Sequence, residues 1–308
     1  MDKILSFYLL IALTAIMVIT SHSSVIFRRK INDNALDFLT PERIKETSIF
    51  KNKLKGNNEN EKRNVNSRSI VVPPVFSQTS PEYNYPIGRF SIRLPDGNDR
   101  ICTASVINTA NGNIGITAAH CLIDNNGETI DTNSMWFSPG YDNGTDGPLE
   151  IIEVETVAIP LTFLATDAWN DYALIKFAFN DPAEENETLQ HYTGGLGWRF
   201  DVGNNTLTNL FGYPGSGNLE NCTKDFEHIC EWQGYTQLEQ EVHPFNYIIS
   251  GLRLGEGASG GPLIFQYDRP INLGYIYSVH RAWRNDTNES VASIFDVFVF
   301  TGLLLNLS

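Results

Sequence analysis

Basic side chains are scarce over most of this chain. Residues 69–308 hold 10 Lys and Arg against 29 Asp and Glu, a net charge of −19, whereas residues 24–68 hold 11 against 6. A surface this acidic repels phosphates and anionic lipid headgroups. We therefore expect the main body to bind neither nucleic acid nor a membrane surface.

Long apolar runs are lacking after the first twenty residues. The run at 4–20 follows Lys3 and precedes small residues at 21–23, which is typical of a signal peptide, and we place that peptide at residues 1–23. An uncleaved signal anchor is the alternative. Seventeen residues is at the short limit for a spanning helix, and the basic residues at 28–30 oppose the usual orientation. We expect cleavage, and no membrane association afterwards.

Residues 24–68 are poor in aromatic side chains and cannot bury enough apolar surface to fold alone. We predict a basic, disordered pro-region of a zymogen, with a short amphipathic helix at 35–50 and processing at Lys62-Arg63 or Arg68. A tail that is never removed, or a nucleic-acid-binding arm, is the alternative. The composition changes to β-branched residues over Ser69-Ile70-Val71-Val72, so we predict one folded domain at 69–308.

Cysteine is rare, with four in 308 residues. An even count behind a signal peptide indicates two disulfides, for which three connectivities are possible. The most local pairing, Cys102–Cys121 and Cys222–Cys230, is the one that we expect. A zinc site on Cys222, His228 and Cys230 would have only three ligands, so we disfavour it.

Asparagine, by contrast, is frequent and forms seven Asn-x-Ser/Thr sequons. Together with the signal peptide they favour a secreted glycoprotein of the extracellular space. Their asparagines are Asn143, Asn186, Asn204, Asn221, Asn285, Asn288 and Asn306.

Two polar segments, 124–128 and 142–147, could offer oxygen ligands to calcium. The same Asp-, Asn- and Gly-rich composition is typical of ordinary turns. We therefore expect no metal and no cofactor.

Short segments with β-branched or alternating apolar residues follow one another from residue 87 onward, separated by turn signals such as Asp96-Gly97 and Asn111-Gly112. This spacing predicts an all-β barrel or sandwich. The predicted strands are 87–94, 101–106, 114–118, 151–159, 172–179, 206–211, 247–249, 262–266 and 273–279. The only predicted helix of this body is 293–305.

Three segments carry residue types suited to acyl transfer. His120 ends a β-run beside a cysteine, and a neutral imidazole can take and return a proton. Asp171 stands directly ahead of another apolar strand, where a semi-buried carboxylate could orient that imidazole. Ser259 lies in a glycine-rich turn, 254–262, that would expose its hydroxyl as a nucleophile.

Each of these residues alone has an ordinary structural explanation, but together they resemble a known family. Thr-Ala-Ala-His-Cys at 117–121, Asn-Asp-Tyr-Ala-Leu-Ile at 170–175 and Gly-x-Gly-Ala-Ser-Gly-Gly-Pro at 255–262 resemble the three signatures of chymotrypsin-fold serine proteases. The segment 211–215 is most similar to the glutamyl-endopeptidase (V8-like) and fungal trypsin-like branch. The resemblance covers about residues 70–305.

The resemblance implies two antiparallel six-stranded β-barrels, followed by the C-terminal helix, with the triad between the barrels. It implies that His120 is the general base, that Asp171 orients it and that Ser259 is the nucleophile. The backbone N–H groups of Gly257 and Ser259 would form the oxyanion hole.

One position departs from the digestive enzymes of that family, which carry Asp immediately before the nucleophile. Here that position is Ala258, so no ion pair with a new N-terminus can form and activation by that switch is not expected. We expect packing and glycine geometry to preorganise the serine instead.

The substrate pocket is predicted from the same resemblance. Arg253 would lie at its floor, and Ser278 and His280 on its wall strand, a set that would suit an acidic side chain at the cleaved position. The glutamate-specific branch carries its histidine one residue before the wall serine, where this chain has Tyr277, so the pocket prediction stays open.

The function expected is that of a secreted, monomeric serine endopeptidase acting on protein or peptide substrates. A catalytically silent homologue that binds proteins is the alternative from another class. An esterase is a third hypothesis, although the His–Asp–Ser order differs from that of the α/β-hydrolases.

Overall fold

The computed structural model describes residues 24–28, 74–166, 170–239 and 246–307. The predicted signal peptide, the predicted helix at 35–50, the candidate processing sites and the predicted domain start at 69 lie outside these residues. Nowhere in the described ranges is there a helix long and apolar enough to span a bilayer.

The first half of the described chain forms an antiparallel barrel. Its strands alternate inward and outward side chains; in the first of the six, Phe90 and Ile92 are buried while Arg93 is exposed. Strand order is β6-β5-β2-β3-β4-β7, and pairing of β6 with β7 closes the barrel. The strands are β1 (Ser24–Arg28), β2 (Ile87–Arg93), β3 (Asp99–Val106), β4 (Ile114–Thr117), β5 (Met135–Pro139), β6 (Ile152–Pro160) and β7 (Ala173–Phe177), with β1 an addition to the six.

The second half repeats this architecture. Strand order is β12-β9-β10-β11-β14-β13, with β12 pairing with β13 to close six strands, and the short β8 lies parallel to β13. The strands are β8 (Gly197–Trp198), β9 (Thr206–Gly212), β10 (Cys230–Leu238), β11 (Asn246–Ser250), β12 (Pro262–Asp268), β13 (Leu273–Arg284) and β14 (Glu289–Ile294). The predicted fold of two six-stranded antiparallel barrels is confirmed.

All nine predicted strands fall on observed strands, with ends displaced by one to a few residues. The sequence prediction missed β1, β5, β8, β10 and β14. The predicted helix at 293–305 is wrong at its start, because residues 293–294 complete β14 and the helix runs over Val297–Leu307. Short helices also occur at Leu161–Thr166 and Leu189–Thr193. We call the three helices α1 (Leu161–Thr166), α2 (Leu189–Thr193) and α3 (Val297–Leu307).

The side chain of Asp296 sets the start of α3. Its Oδ1 accepts hydrogen bonds from the backbone N–H groups of Phe298 and Val299, both at 2.9 Å, which satisfies two donors of the first turn. Phe300, Leu303 and Leu307 then pack into an apolar cluster that contains residues of both barrels. The helix therefore fastens the second barrel onto the first.

β1 extends the first barrel at β6. β5 pairs with β6 only at Ile152 and Glu153, and β1 pairs antiparallel with residues 156–160, from Arg28 opposite Thr156 to Ser24 opposite Pro160. Five residues of the segment predicted to be disordered thus form a strand. Because an unpaired strand edge exposes backbone donors and acceptors, β1 contributes hydrogen bonds that β6 would otherwise lack.

We expect proline at two neighbouring positions of β1 to destabilise the protein. Successive N–H groups of a strand point to opposite edges, so in Val25→Pro/Ile26→Pro one of the two prolines removes a hydrogen bond to β6. The loss expected is about 1–3 kcal/mol in the free energy of unfolding, measured by urea denaturation. The Val25→Ala/Ile26→Ala variant, which keeps both N–H groups, is the control. Equal stability of the two variants would contradict the pairing.

Candidate active site

His120 lies in a 3₁₀ turn, Ala119–Leu122, directly after β4. The Cys102–Cys121 disulfide ties this turn to β3, and the second predicted bridge, Cys222–Cys230, is also formed. The guanidinium of Arg100 donates hydrogen bonds to the carbonyl oxygens of His120, at 3.0 Å, and Ile123, at 2.5 Å. These contacts fix the backbone on which the imidazole is carried.

Asp171 lies at the tip of a tight turn before β7. The N–H of Tyr172 donates to the carbonyl oxygen of Asn170 at 2.7 Å, so the turn is closed around Asp171 alone. Asn170 has a φ of 55°, a left-handed conformation that asparagine tolerates, and its side chain donates to Thr162 Oγ1 at 2.8 Å. The turn therefore holds Asp171 in one position.

The carboxylate of Asp171 is 3% exposed and meets His120 twice. Its Oδ1 accepts from the backbone N–H of His120 at 3.0 Å, and its Oδ2 lies 2.9 Å from the imidazole Nδ1. With the proton on Nδ1 as donor, Nε2 is left as the acceptor that a general base requires.

The charge balance around Asp171 favours its ionised form. Burial alone would raise the pKa of this carboxyl, but the charge and hydrogen bonds of His120 and the nearby guanidinium of Arg281 lower it below the usual value. Arg281 Nε lies 3.3 Å from Asp171 Oδ2. The carboxylate is thus available as the fixed negative partner of the imidazole.

Ser259 stands on a loop of the second barrel that is bonded to β3 of the first. The N–H of Thr103 donates to the carbonyl oxygen of Ser259 at 2.7 Å, and Thr103 Oγ1 donates to the carbonyl oxygen of Gly257 at 2.9 Å. Gly257 and Gly260 have φ values of 90° and 81°. A Cβ would meet Tyr213 O at 2.1 Å in the first case and Thr103 O at 2.2 Å in the second, so only glycine fits.

Within residues 257–261 of this loop, the N–H groups of Gly257 and Ser259 make no hydrogen bond to another described residue. The N–H groups of Ala258, Gly260 and Gly261 all donate to backbone carbonyl oxygens. The carbonyl oxygen of Glu256 accepts from Gly215 N at 2.8 Å, so in that trans peptide the N–H of Gly257 points the opposite way. Free, adjacent donors of this kind can stabilise an oxyanion.

The imidazole and the serine loop approach each other at the disulfide. His120 Nε2 lies 3.9 Å from Cys121 Sγ, which lies 4.0 Å from the carbonyl oxygen of Ser259. The Ser259 hydroxyl makes no hydrogen bond within the described part of the chain. The hydrogen bond between a catalytic serine and its histidine is commonly long in free enzymes and tightens when substrate binds.

The cysteine and acidic groups weighed as metal ligands are engaged in other contacts. The sulfurs of Cys102 and Cys121 lie close to the His120 ring, but both are disulfide-bonded and offer no thiolate. Cys222 and Cys230 are bridged in the same way. In the two segments considered for calcium, Asp124 Oδ1 accepts from the N–H groups of Asn126 and Glu128, and Asp142 Oδ1 accepts from that of Ile229.

The predicted pocket residues occupy different surroundings. Arg253 is exposed, with its guanidinium 4.2 Å from the ring centre of Trp283, whereas Ser278 is buried and its hydroxyl donates to Ser293 O at 2.7 Å. Tyr277 points into the second barrel and bonds to Thr208 and Thr236.

His280 is 2% exposed and its two ring nitrogens have no hydrogen-bond partner among the described residues. Burial, with the charge of nearby His120, lowers the pKa of His280 to about 4. Its backbone pairs with the serine loop, since His280 N donates to Gly261 O and Gly260 N donates to His280 O, both at 2.8 Å. The ring is therefore a neutral, unsatisfied group beside the loop that carries Ser259.

Sequence reasoning missed two residues of this site, Thr103 and Arg281. Thr103 has no signal beyond its place in an apolar strand. Arg281 does have one, because it is a cation directly after the buried run at 276–280 of β13. Its contact with Asp171 depends on the fold.

Ala258 is fully buried in the core of the second barrel. We expect Ala258→Asp to destabilise the protein by about 3 kcal/mol or more, since a carboxylate there would be buried without a cation. Thermal unfolding and peptidase activity measure the effect, and Ala110→Asp, which adds the same charge at an exposed site, is the control. A gain in activity at unchanged stability would mean that the serine loop needs an ion pair after all.

Comparison with known proteins bears on the fold. No protein-family model matches the sequence, and no curated protein matches it. Among solved structures, the chain is similar to the thermostable serine protease AL20 from an extremophilic microorganism, with 18% identity over 72% of this chain and 97% of that one and a TM-score of 0.60.

Two further structures agree with this result. The protease Anisep from Arthrobacter nicotinovorans has 19% identity over 73% of this chain and 96% of its own, with a TM-score of 0.58. A Glu endopeptidase has 15% identity over 77% and 99%, with a TM-score of 0.51. The chain therefore has the chymotrypsin-type double-barrel fold, and its branch within that fold stays a prediction.

Proposed function

We propose that this chain, which has the fold of the chymotrypsin-type serine proteases, is a serine endopeptidase that forms an acyl-enzyme on Ser259. The observation that carries the proposal is the double hydrogen bond between His120 and Asp171, which leaves Nε2 as the acceptor next to the serine loop. The free N–H groups of Gly257 and Ser259 support it.

In the first step Ser259 Oγ attacks the scissile carbonyl carbon and its proton passes to His120 Nε2. The carbonyl oxygen becomes an oxyanion held by the N–H groups of Gly257 and Ser259. The Asp171 carboxylate stabilises the imidazolium, which then returns the proton to the leaving amine as the C–N bond breaks. Water then attacks the ester carbonyl carbon through the same proton transfers, which releases the carboxylic acid and free Ser259.

The setting proposed for this reaction is outside the cell. Two disulfides are typical of an oxidising compartment, and the sequence begins with a predicted signal peptide. Six of the seven sequon asparagines are exposed, and Asn306, in α3, is half-buried. The segment 24–68 acts as the pro-region. The enzyme is monomeric, and its substrates are proteins or peptides.

A fluorophosphonate probe separates an active protease from a silent homologue. We expect the probe to label the wild-type protein and to leave Ser259→Ala unlabelled, with casein hydrolysis falling by at least about 10⁴-fold. Ser250→Ala removes an exposed hydroxyl on the second barrel and should label normally. An unlabelled wild-type protein, in every processed form, would support the silent homologue.

The pocket proposed for this enzyme takes an acidic side chain before the cleaved bond. A buried imidazole without a partner can donate a hydrogen bond to a carboxylate, and His280 is such a group beside the serine loop. Arg253, which lies six residues before Ser259 and stacks on Trp283, is the cation proposed for the floor of this pocket. One of the fold neighbours is a Glu endopeptidase, which agrees with this assignment.

Peptide substrates that differ only at this position test the pocket. We expect Glu to be cleaved at least about ten times faster than the isosteric Gln, and His280→Leu to abolish that ratio, because a charge-assisted hydrogen bond contributes about 1.5–3 kcal/mol. Fluorophosphonate labelling of His280→Leu confirms that the triad remains intact. A preference for Arg or Lys would contradict the acidic pocket.

A further inference from the structure

We propose that Arg281 is a positioning residue of this active site, one that holds the Asp171 carboxylate in place from the second barrel. The proposal rests on the proposed function, since it assigns a role in that reaction. It starts from a contact: Arg281 Nε lies 3.3 Å from Asp171 Oδ2, the same oxygen that meets His120 Nδ1 at 2.9 Å.

An irregularity of β13 sets the direction of the Arg281 side chain. In the pairing of β13 with β14, His280 is opposite Ala292 and Ala282 is opposite Val291. Arg281 is therefore the extra residue of a β-bulge. Such a bulge interrupts the alternation of a strand and re-aims a side chain, and bulges are frequent beside active sites. Here it delivers a cation from the second barrel to a carboxylate of the first.

Arg281 is also anchored at its far end. Its side chain is 15% exposed, and Nη1 lies 3.5 Å from Oδ1 of Asn246, whose Nδ2 donates to Glu239 Oε2 at 2.6 Å. Glu239 in turn accepts from Arg284 at 2.6 Å. The guanidinium thus contacts Asp171 at one end and, at the other, Asn246 of β11, which is bonded to Glu239.

Burial makes this contact significant. Asp171 is 3% exposed, so it has lost most of its hydration, and an isolated buried carboxylate is costly. His120 supplies two donors, but an imidazole is not a permanently charged partner. A fixed, permanently charged partner keeps Asp171 ionised and its Oδ2 on the side of the imidazole during each proton transfer.

The cation also affects the proton transfer itself. When His120 takes the serine proton, the imidazolium is attracted by Asp171 and repelled by Arg281. The other titratable groups around Arg281 are His280, beside it on β13, and Glu239, beyond Asn246. Since the pKa of His280 is lowered to about 4, its ring stays neutral above pH 5 and adds no charge there.

Arg281→Gln, which keeps a donor and removes the charge, tests the proposal. We expect kcat to fall at least about tenfold with little change in KM. The pH below which kcat/KM declines should rise by roughly one unit, because the imidazolium is no longer opposed by a cation. Arg269→Gln loses the same charge from an exposed pair with Glu231 and should keep the wild-type profile.

Arg281→Lys distinguishes the effect of the charge from that of the guanidinium shape. It also provides a test of the proposal if Arg281→Gln does not fold. It keeps the cation and loses the planar guanidinium, so we expect a wild-type pH profile and a kcat lowered several-fold. A lower melting temperature with wild-type kcat and pH profile in the folded variants would show a structural role only and overturn the proposal. A wild-type protein that is inactive and unlabelled by fluorophosphonate would instead refute the proposed function.

Discussion

The burial of one carboxylate constrains the rest of the candidate active site. Asp171 is 3% exposed between two barrels, so protein donors must replace the water that it has lost. The 3₁₀ turn of His120 provides two of them from the first barrel, and the bulge of β13 brings Arg281 from the second. The Cys102–Cys121 disulfide ties that turn to β3.

The contacts that join the barrels also build the site. Thr103 of β3 bonds through its N–H and its hydroxyl to the loop that carries Ser259, and α3 buries Phe300 and Leu303 against residues of both halves. A change in the packing of the barrels would therefore displace the serine loop relative to His120. The stability of the fold and the geometry of the candidate site therefore depend on the same interface.

Prediction from sequence succeeded where a local pattern carries the information. The nine predicted strands have β-branched or alternating residues, whereas β10, with the sequence CEWQGYTQL, is polar and was missed because much of it faces solvent. The helix start was misplaced since Ser293 and Ile294 continue an apolar run, and only the capping side chain of Asp296 ends that ambiguity. The local disulfide pairing was likewise predictable, because short loops favour it.

The residue types of the candidate site follow from the amino-acid sequence alone: a histidine, an acid and a serine in recognisable local motifs, two glycines that alone can adopt the required φ values, and an alanine before Ser259. How these residues come together depends on the tertiary structure. It brings Arg281 to Asp171, leaves the N–H groups of Gly257 and Ser259 free, and buries His280 beside the serine loop. Burial, charge pairing and strand register bring together residues that are more than a hundred positions apart, such as Asp171 and Arg281. No local sequence pattern indicates such contacts.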